Sequence, residues 1–253
     1  MNDNLTLRIS DHSIAFSVHN GDGISYQPYD CKEGVAIAAN LRDAVRDRAN
    51  ADKVTICIDS PVLLVPTDLY EPSQAASFYY KSYPSRENFV IESNVIVNLG
   101  SVALFSMSKD LWTVISDNFP ETTILCVMAP VWRYLYQRSL TGTCSRLFAY
   151  FHDGKVDVFC FSQHRFKFSN AFEVASSDDA LYFLLYVWKQ LALNQERDEL
   201  HLVGDIPDKL VDELQKFIRK TYIINPAGDF NRATVTKIPG MPYDLMTLYV
   251  KGR

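Results

Sequence analysis

Apolar and polar residues trade places over three short runs at the start of the chain, 5–10, 13–20 and 23–29. Asp11-His12 and Asn20-Gly21-Asp22-Gly23 separate them. A period of two predicts strands, and the Asp, Asn and Gly pairs between them predict hairpin turns. The period then changes. Ile37, Leu41 and Val45 recur four residues apart, which predicts a helix over 33–49. The run VTICI at 54–58 is almost wholly apolar and ends on Asp59, as suits a strand buried inside a sheet.

The same β-β-β-α-β order returns later. Residues 146–151, 156–162 and 166–174 read as strands, with a tight turn at Asp153-Gly154. Ser176-Ser177-Asp178-Asp179 is a helix start with a capping hydroxyl and acids in the first turn. Leu181, Leu184, Leu185, Trp188 and Leu191 form that helix's apolar stripe, and ELHLV at 199–203 is another short buried strand ending on Gly204-Asp205. Shifting one half by 142 positions (153 minus 11) lays Asp11 on Asp153, Ile14 on Val156 and Phe16 on Val158. The pattern predicts a duplicated α/β protein, with halves at 1–142 and 143–253.

Between the repeats the pattern predicts a strand at 61–70, an amphipathic helix at 71–83 and two strands within 89–107 around Asn98-Leu99-Gly100. A helix at 109–118, a buried strand at 123–128 and a helix at 130–140 with Pro130 in its first position follow. A last amphipathic helix is expected over 207–220, with Leu210, Leu214, Phe217 and Ile218 inward. Phe78, Tyr79, Tyr80 and Tyr83 crowd the 71–83 helix. Consecutive helical positions point in different directions, so these four aromatics are expected either to leave an exposed partner-binding patch or to pack tightly against the first half.

Composition narrows the functional classes. Of 253 residues, 47% are hydrophobic and 22% charged, enough apolar content for a real core rather than disorder. The net charge of -5 argues against a general nucleic-acid binder. The five cysteines are scattered, without a C-x-x-C pair, and read as free thiols of a reducing compartment. No export signal is read in MNDNLTLRIS and no run is long enough to span a bilayer, so a cytoplasmic protein without membrane insertion is expected. No P-loop, nucleophile elbow or H-E-x-x-H motif occurs, and the five histidines show no metal-ligand spacing; no metal site is expected.

A β-β-β-α-β unit used twice, with an extra helix-and-hairpin module at about 61–107, resembles the actin-like ATPase (ribonuclease H-like) superfamily. The stretches VTICIDSPVLLVPTDLYEPSQAASFYYKSYP, VALFSMSKDLWTVISDN and TILCVMAPVWRYLYQ follow the element order of the type IV pilus assembly actin-like proteins. The whole chain resembles an uncharacterised Bacteroidetes family of unknown function with this fold. The resemblance implies ATP and magnesium held between the halves by two turns, Asp-x-Gly-Ser/Thr and Asp-x-Gly-Gly-Gly-Thr, with a third glycine-rich turn on the adenosine.

Against that pattern the first turn, Ser10-Asp11-His12-Ser13, has no glycine. The second, His152-Asp153-Gly154-Lys155, has one glycine and no hydroxyl. The third, Val203-Gly204-Asp205-Ile206, has one glycine where two are usual. Each missing glycine adds a Cβ where backbone must approach phosphate. Asp11, Ser13, Asp153, Gly154, Gly204 and Asp205 are therefore the candidate nucleotide cleft, while Lys155 reads as a solvent-exposed hairpin lysine or, alternatively, a further phosphate contact. Asp11 and Asp59 also invite a two-metal nuclease reading, for which Glu33 or Asp43 would have to supply the third acid. The expectation is a non-catalytic actin-like scaffold, without a cofactor, that binds an unidentified protein through 61–107. The alternative is an ATP-binding protein with slow hydrolysis.

Overall fold

The computed structural model describes residues 4–20, 23–46 and 53–250. The ends at 47–49 of the expected first helix and Gly21-Asp22 of the second turn lie outside them. The chain forms two compact units, one of 1–131 with 234–244, the other of 132–233 with 245–253.

In the first unit, β1 (Asn4–Ile9), β2 (Ile14–Asn20) and β3 (Gly23–Tyr29) form an antiparallel meander, and α1 (Ile37–Val45) leads to β4 (Lys53–Ile58). The chain continues through β5 (Leu63–Pro66), α2 (Ala75–Ser82), β6 (Val90–Ile96), β7 (Ser101–Met107), α3 (Lys109–Asn118) and β8 (Thr122–Cys126). The main sheet runs β3-β2-β1-β4-β8, and a small antiparallel sheet, β5-β7-β6, forms the inserted module. Central β1 pairs antiparallel with β2 and parallel with β4, so Leu7 faces Phe16 on one side and Ile56 on the other. Strands paired on both edges and covered on both faces must be apolar throughout, which is why LTLRI and VTICI carry so few polar residues.

Helix α4 (Met128–Ser139) carries the chain into the second unit. There β9 (Arg146–His152), β10 (Lys155–Ser162) and β11 (Arg165–Glu173) form the second meander, followed by α5 (Ser177–Gln190), β12 (Glu199–Gly204), α6 (Leu210–Gln215) and β13 (Thr221–Ile223). Two short helices close the described chain, α7 (Pro226–Asp229) and α8 (Tyr243–Tyr249). The sheet order β11-β10-β9-β12-β13 repeats that of the first unit strand for strand. Ala149, the counterpart of Leu7 at the 142 offset, pairs with β10 on one side and with Leu202 of β12 on the other. The duplicated layout expected from the pattern is thus the observed architecture. Ser176 caps α5 by accepting the Asp179 amide at 3.1 Å, and the helix buries Ala180, Leu184, Val187 and Trp188 against Leu147, Ala149, Val156 and Leu200.

Three sequence expectations change. The strand at 61–70 is only β5, because the chain leaves the sheet at Pro66 and turns through a 3-10 segment at Thr67–Leu69. The helix expected at 33–49 starts only at Ile37. Asn40 accepts the Lys32 amide at 2.9 Å and donates to the Val35 carbonyl at 3.1 Å, fixing 32–36 in an irregular approach. The 207–220 helix shrinks to α6: Lys209 takes a left-handed conformation (φ 62°) before it, and the helix stops at Gln215. Leu210, Leu214 and Ile218 are buried, but Phe217, expected inward, is 47% exposed. Strand β13 and the short C-terminal helices carry too little periodicity to have been foreseen.

No helix among the described residues is long and apolar enough to cross a membrane. None of the five cysteines is in a disulfide. Burial pushes the Cys160 thiol up to about 12 and raises Cys57 too; desolvation also raises Cys31 and Cys144, but these two are only half-buried and open to a reagent. Thiolate is the reactive form. Native labelling with a thiol reagent should therefore modify Cys31 and Cys144 alone, and the other three only in denaturant. Mass spectrometry of the native digest checks this, and modified Cys57 or Cys160 would contradict it.

Candidate functional site

The β1–β2 turn is closed on itself. Ser10 N–H donates to the Ser13 carbonyl at 2.9 Å, and the Ser10 and Ser13 hydroxyls lie 2.7 Å apart. The amides of His12 and Ser13, the donors such a turn would offer to a phosphate, both donate to Ser10 Oγ, at 3.2 and 2.9 Å. A serine at the start of a turn commonly takes up amides in this way. Asp11 forms a two-pronged ion pair with Arg86 of the inserted module, with Nη1 3.2 Å from Oδ1 and Nη2 closer still on Oδ2. The guanidinium also lies over the Phe89 ring, 4.9 Å from its centroid. The hydrogen bond with Asp11 raises Arg86 above the ordinary arginine range.

Beneath this turn, within the first unit, lies a cavity of about 90 Å³ lined in part by Ser10, Asp11, Asp59, Ser60, Phe89 and Ser108. Its hydroxyls have work of their own. Ser60 Oγ accepts the Ser106 amide at 3.1 Å, and Ser108 caps α3 by accepting the Leu111 amide at 3.2 Å. The space suits a few water molecules, since each occupies about 30 Å³ in the liquid. Asp59, at the end of β4, is buried and lies 3.8 Å from Arg8 Nη2. Arg8 Nε in turn contacts both carboxylate oxygens of buried Asp244, at 3.2 and 3.0 Å. Asp11 and Asp59, the pair behind the nuclease reading, thus each face a guanidinium. Glu33 and Asp43 do not join them: Glu33 is exposed, and Asp43 pairs with Lys32 at 2.8 Å.

In the second unit, Asp153 (φ 47°) and Gly154 (φ 73°) form a two-residue hairpin turn, both left-handed as such turns require. Asp153 Oδ2 lies 3.1 Å from Nδ1 of buried His152, and Asp157 Oδ2 lies 2.8 Å from its Nε2. The imidazole stacks on Tyr150 with centroids 4.3 Å apart. Lys155 is half-buried at the start of β10. The third turn is equally committed: the Asp205 amide donates to the Phe151 carbonyl at 3.0 Å, and the Ile206 amide to Gly204 O at 3.0 Å. A Cβ on Gly204 would stand 2.0 Å from Phe151 O, so that glycine serves the contact between β12 and β9. Asp205 is exposed, and the N-cap of α6 is Lys209.

The aromatic cluster is largely covered. Tyr79 is completely buried in the module core, Tyr80 and Tyr83 pack against that core half-buried, and Phe78 is half-buried. Each tyrosine hydroxyl donates to a main-chain carbonyl: Tyr79 to Pro61 at 2.7 Å, Tyr80 to Phe89 at 2.8 Å and Tyr83 to Val62 at 3.0 Å. Of the two arrangements expected for these aromatics, the burial matches the packed one. The helix is short and lies on a three-stranded sheet, so its amphipathic aromatics can be half-covered while their hydroxyls reach the sheet's edges. The exposed apolar side chains of the module are instead Leu69, Val95 and Val97. Thr67 N–H donates to Gly100 O at 2.9 Å, and Val95 pairs across to Val102, which places the main chain of all three toward one end of the small sheet. Sequence reasoning also missed Arg8, Arg86 and Asp244. Arg8 carried a signal, being the one charge in an otherwise buried strand.

The comparisons agree with this architecture. The model of a family described as "protein of unknown function (DUF3822)" matches residues 1–221. No protein among those with curated descriptions matches. A crystal structure from Bacteroides thetaiotaomicron VPI-5482, a protein with actin-like ATPase fold and unknown function, is 29% identical. It superposes with a TM-score of 0.84 over 99% of this chain and 96% of that one. The PilM-PilN type IV pilus biogenesis complex matches at 11% identity and a TM-score of 0.55, over 98% and 97% of the two chains, a likeness of fold alone. The chain belongs to the DUF3822 family and has the actin-like ATPase fold.

Proposed function

We propose that this actin-like protein works as a non-catalytic scaffold that holds another protein, rather than as an ATPase. The observation that carries the reading is the first turn, whose His12 and Ser13 amides are taken by Ser10 Oγ while its acid is paired with Arg86. Phosphate would have to displace a hydroxyl that already satisfies both donors. The second and third turns, with one glycine each and their groups bonded internally, support the same reading. The free, mostly buried thiols favour a reducing, cytoplasmic setting.

Thermal unfolding with and without millimolar ATP and magnesium tests it. A native-state ligand at 100 times its dissociation constant adds about 2.7 kcal/mol, a readily visible shift. No shift is expected. A shift that disappears in Asp153→Ala would overturn the reading in favour of a nucleotide-binding protein. For protein binding, the end of the module around Leu69, Val95 and Val97 is the proposed contact, since clustered exposed aliphatics mark interaction surfaces. The fold relative solved as the PilM-PilN complex offers a precedent for partner binding on this fold. Cells expressing a Leu69→Asp, Val97→Asp chain should lose the cross-linked proteins that the unaltered chain retains; identical cross-links would remove the module from the proposal.

A further inference from the structure

Strand β11 is one outer edge of the second unit's sheet, and no strand pairs with its far side among the described residues. It is nine residues long and contains no proline, although proline is a common protection of an open edge. The direction of its main-chain groups can be read from its neighbours. Val174 N–H donates to Gly154 O at 2.8 Å, on the β10 side. Main-chain groups alternate sides along a strand, so those of Ser169, Ala171 and Glu173 point away from the sheet. The Ala171 amide accordingly takes the adjacent Asn170 Oδ1 as its acceptor, at 3.0 Å.

Charge along the edge is polarised. Arg165 and Lys167 stand at the start of β11 and Glu173 at its end, all three exposed. Laid antiparallel on an identical strand, each basic start meets an acidic end, twice over; laid parallel, like charges would coincide. Helix α5 adds an apolar ledge beside this edge. Phe172 of β11 stacks on Phe183 at 4.6 Å, and Tyr182 packs edge-on against Phe183 at 5.5 Å. Tyr182 and Tyr186 stack on each other at 6.1 Å while remaining 63% and 47% exposed.

We propose that the protein pairs with a second copy of itself through β11, antiparallel about a two-fold axis at Ser169, with the Tyr182 and Tyr186 ledges of the two α5 helices flanking the joined sheets. An axis at Ser169 sets the outward-pointing main chain of Ser169 against its own copy and places Glu173 opposite Arg165 and Ala171 opposite Lys167, which brings the basic and acidic ends together. Centring on Ala171 would also match the outward groups but would place Glu173 opposite Ser169 and leave the basic end without an acid. Between Phe166 and Phe168 the register with β10 slips, leaving Lys167 as a bulged residue. A bulge bends a strand and ends regular pairing, which limits the new ladder to the middle of β11. A contact made by the same surface on both copies is closed, giving a pair and not a polymer.

The test is the solution mass of the full chain by sedimentation equilibrium from nanomolar to tens of micromolar. The expected result is a mass rising to twice 28.8 kDa. Glu173→Lys makes both ends basic and should weaken pairing at least tenfold, with the thermal midpoint unchanged at nanomolar concentration, where both chains are monomers. Adding Arg165→Glu and Lys167→Glu to it reverses the polarity and should restore the pair. Ser169→Cys should form an intermolecular disulfide on oxidation, because facing Cα atoms in a hydrogen-bonded antiparallel pair lie about 5.5 Å apart, within disulfide reach. A monomer throughout, a dimer indifferent to Glu173→Lys, or a dimer in which the Ser169→Cys chain fails to cross-link at that position would each overturn the proposal.

Discussion

Arg8→Met should destabilise the protein by about 3–5 kcal/mol, the range seen when one partner of a buried ion pair is removed. Arg8 is 5% exposed near the end of β1, and the two carboxylates it faces, Asp59 and Asp244, are 5% and 1% exposed. Taking the guanidinium away leaves both acids in a low-dielectric interior without the charge that offsets their desolvation. Most of the loss is thus the cost of the abandoned carboxylates, not the worth of the ion pair. That distinction can be measured. Asp59→Asn and Asp244→Asn added to Arg8→Met should recover a large part of the deficit, although three native interactions are then gone. Urea unfolding with an unchanged m-value gives the numbers. A loss below about 1 kcal/mol for Arg8→Met, the level of an exposed pair, would refute this account.

Gly204→Ala is expected to be nearly as damaging, at about 3 kcal/mol, within the upper range for strained backbone and forced contacts. Its φ of 92° is a conformation that side chains rarely adopt, and the added Cβ would lie 2.0 Å from the Phe151 carbonyl oxygen. That oxygen also accepts the Asp205 amide, so relief by shifting β9 would break a bond that shapes the third turn. Gly154→Ala provides the comparison. Its φ is also positive, at 73°, but nothing lies within 4 Å of its added Cβ. It should therefore cost only the backbone strain, about 1 kcal/mol. Equal losses at the two glycines would mean that the close approach of β12 to β9 has no energetic weight.

The strands and hairpins were legible because their signals are local. Alternation over 23–29 matches β3 residue for residue, and Lys109–Asn118 ends where the pattern ends. The repeat was legible for the same reason, as two copies of a local pattern. Long-range chemistry was not. Arg8 and Asp244 lie 236 positions apart, and nothing near either one names its partner. The Arg86–Asp11 pair spans 75 positions and is equally silent in sequence. The placing of the α2 tyrosines stayed open in sequence because helical periodicity says which directions side chains take, not how much of a neighbouring sheet covers them. Phe217 failed at a boundary, where α6 stops one turn before the apolar pattern does.

The hydroxyl of Ser10 has a consequence for how this turn could change over evolutionary time. Placing glycine at position 12 would remove a side chain, yet the two amides would still be held by Ser10 Oγ. Removing that hydroxyl alone would release the amides into a turn whose acid stays tethered to Arg86. The donors of the turn and its acid are held by two separate interactions, so freeing both takes two substitutions, one at Ser10 and one at Arg86.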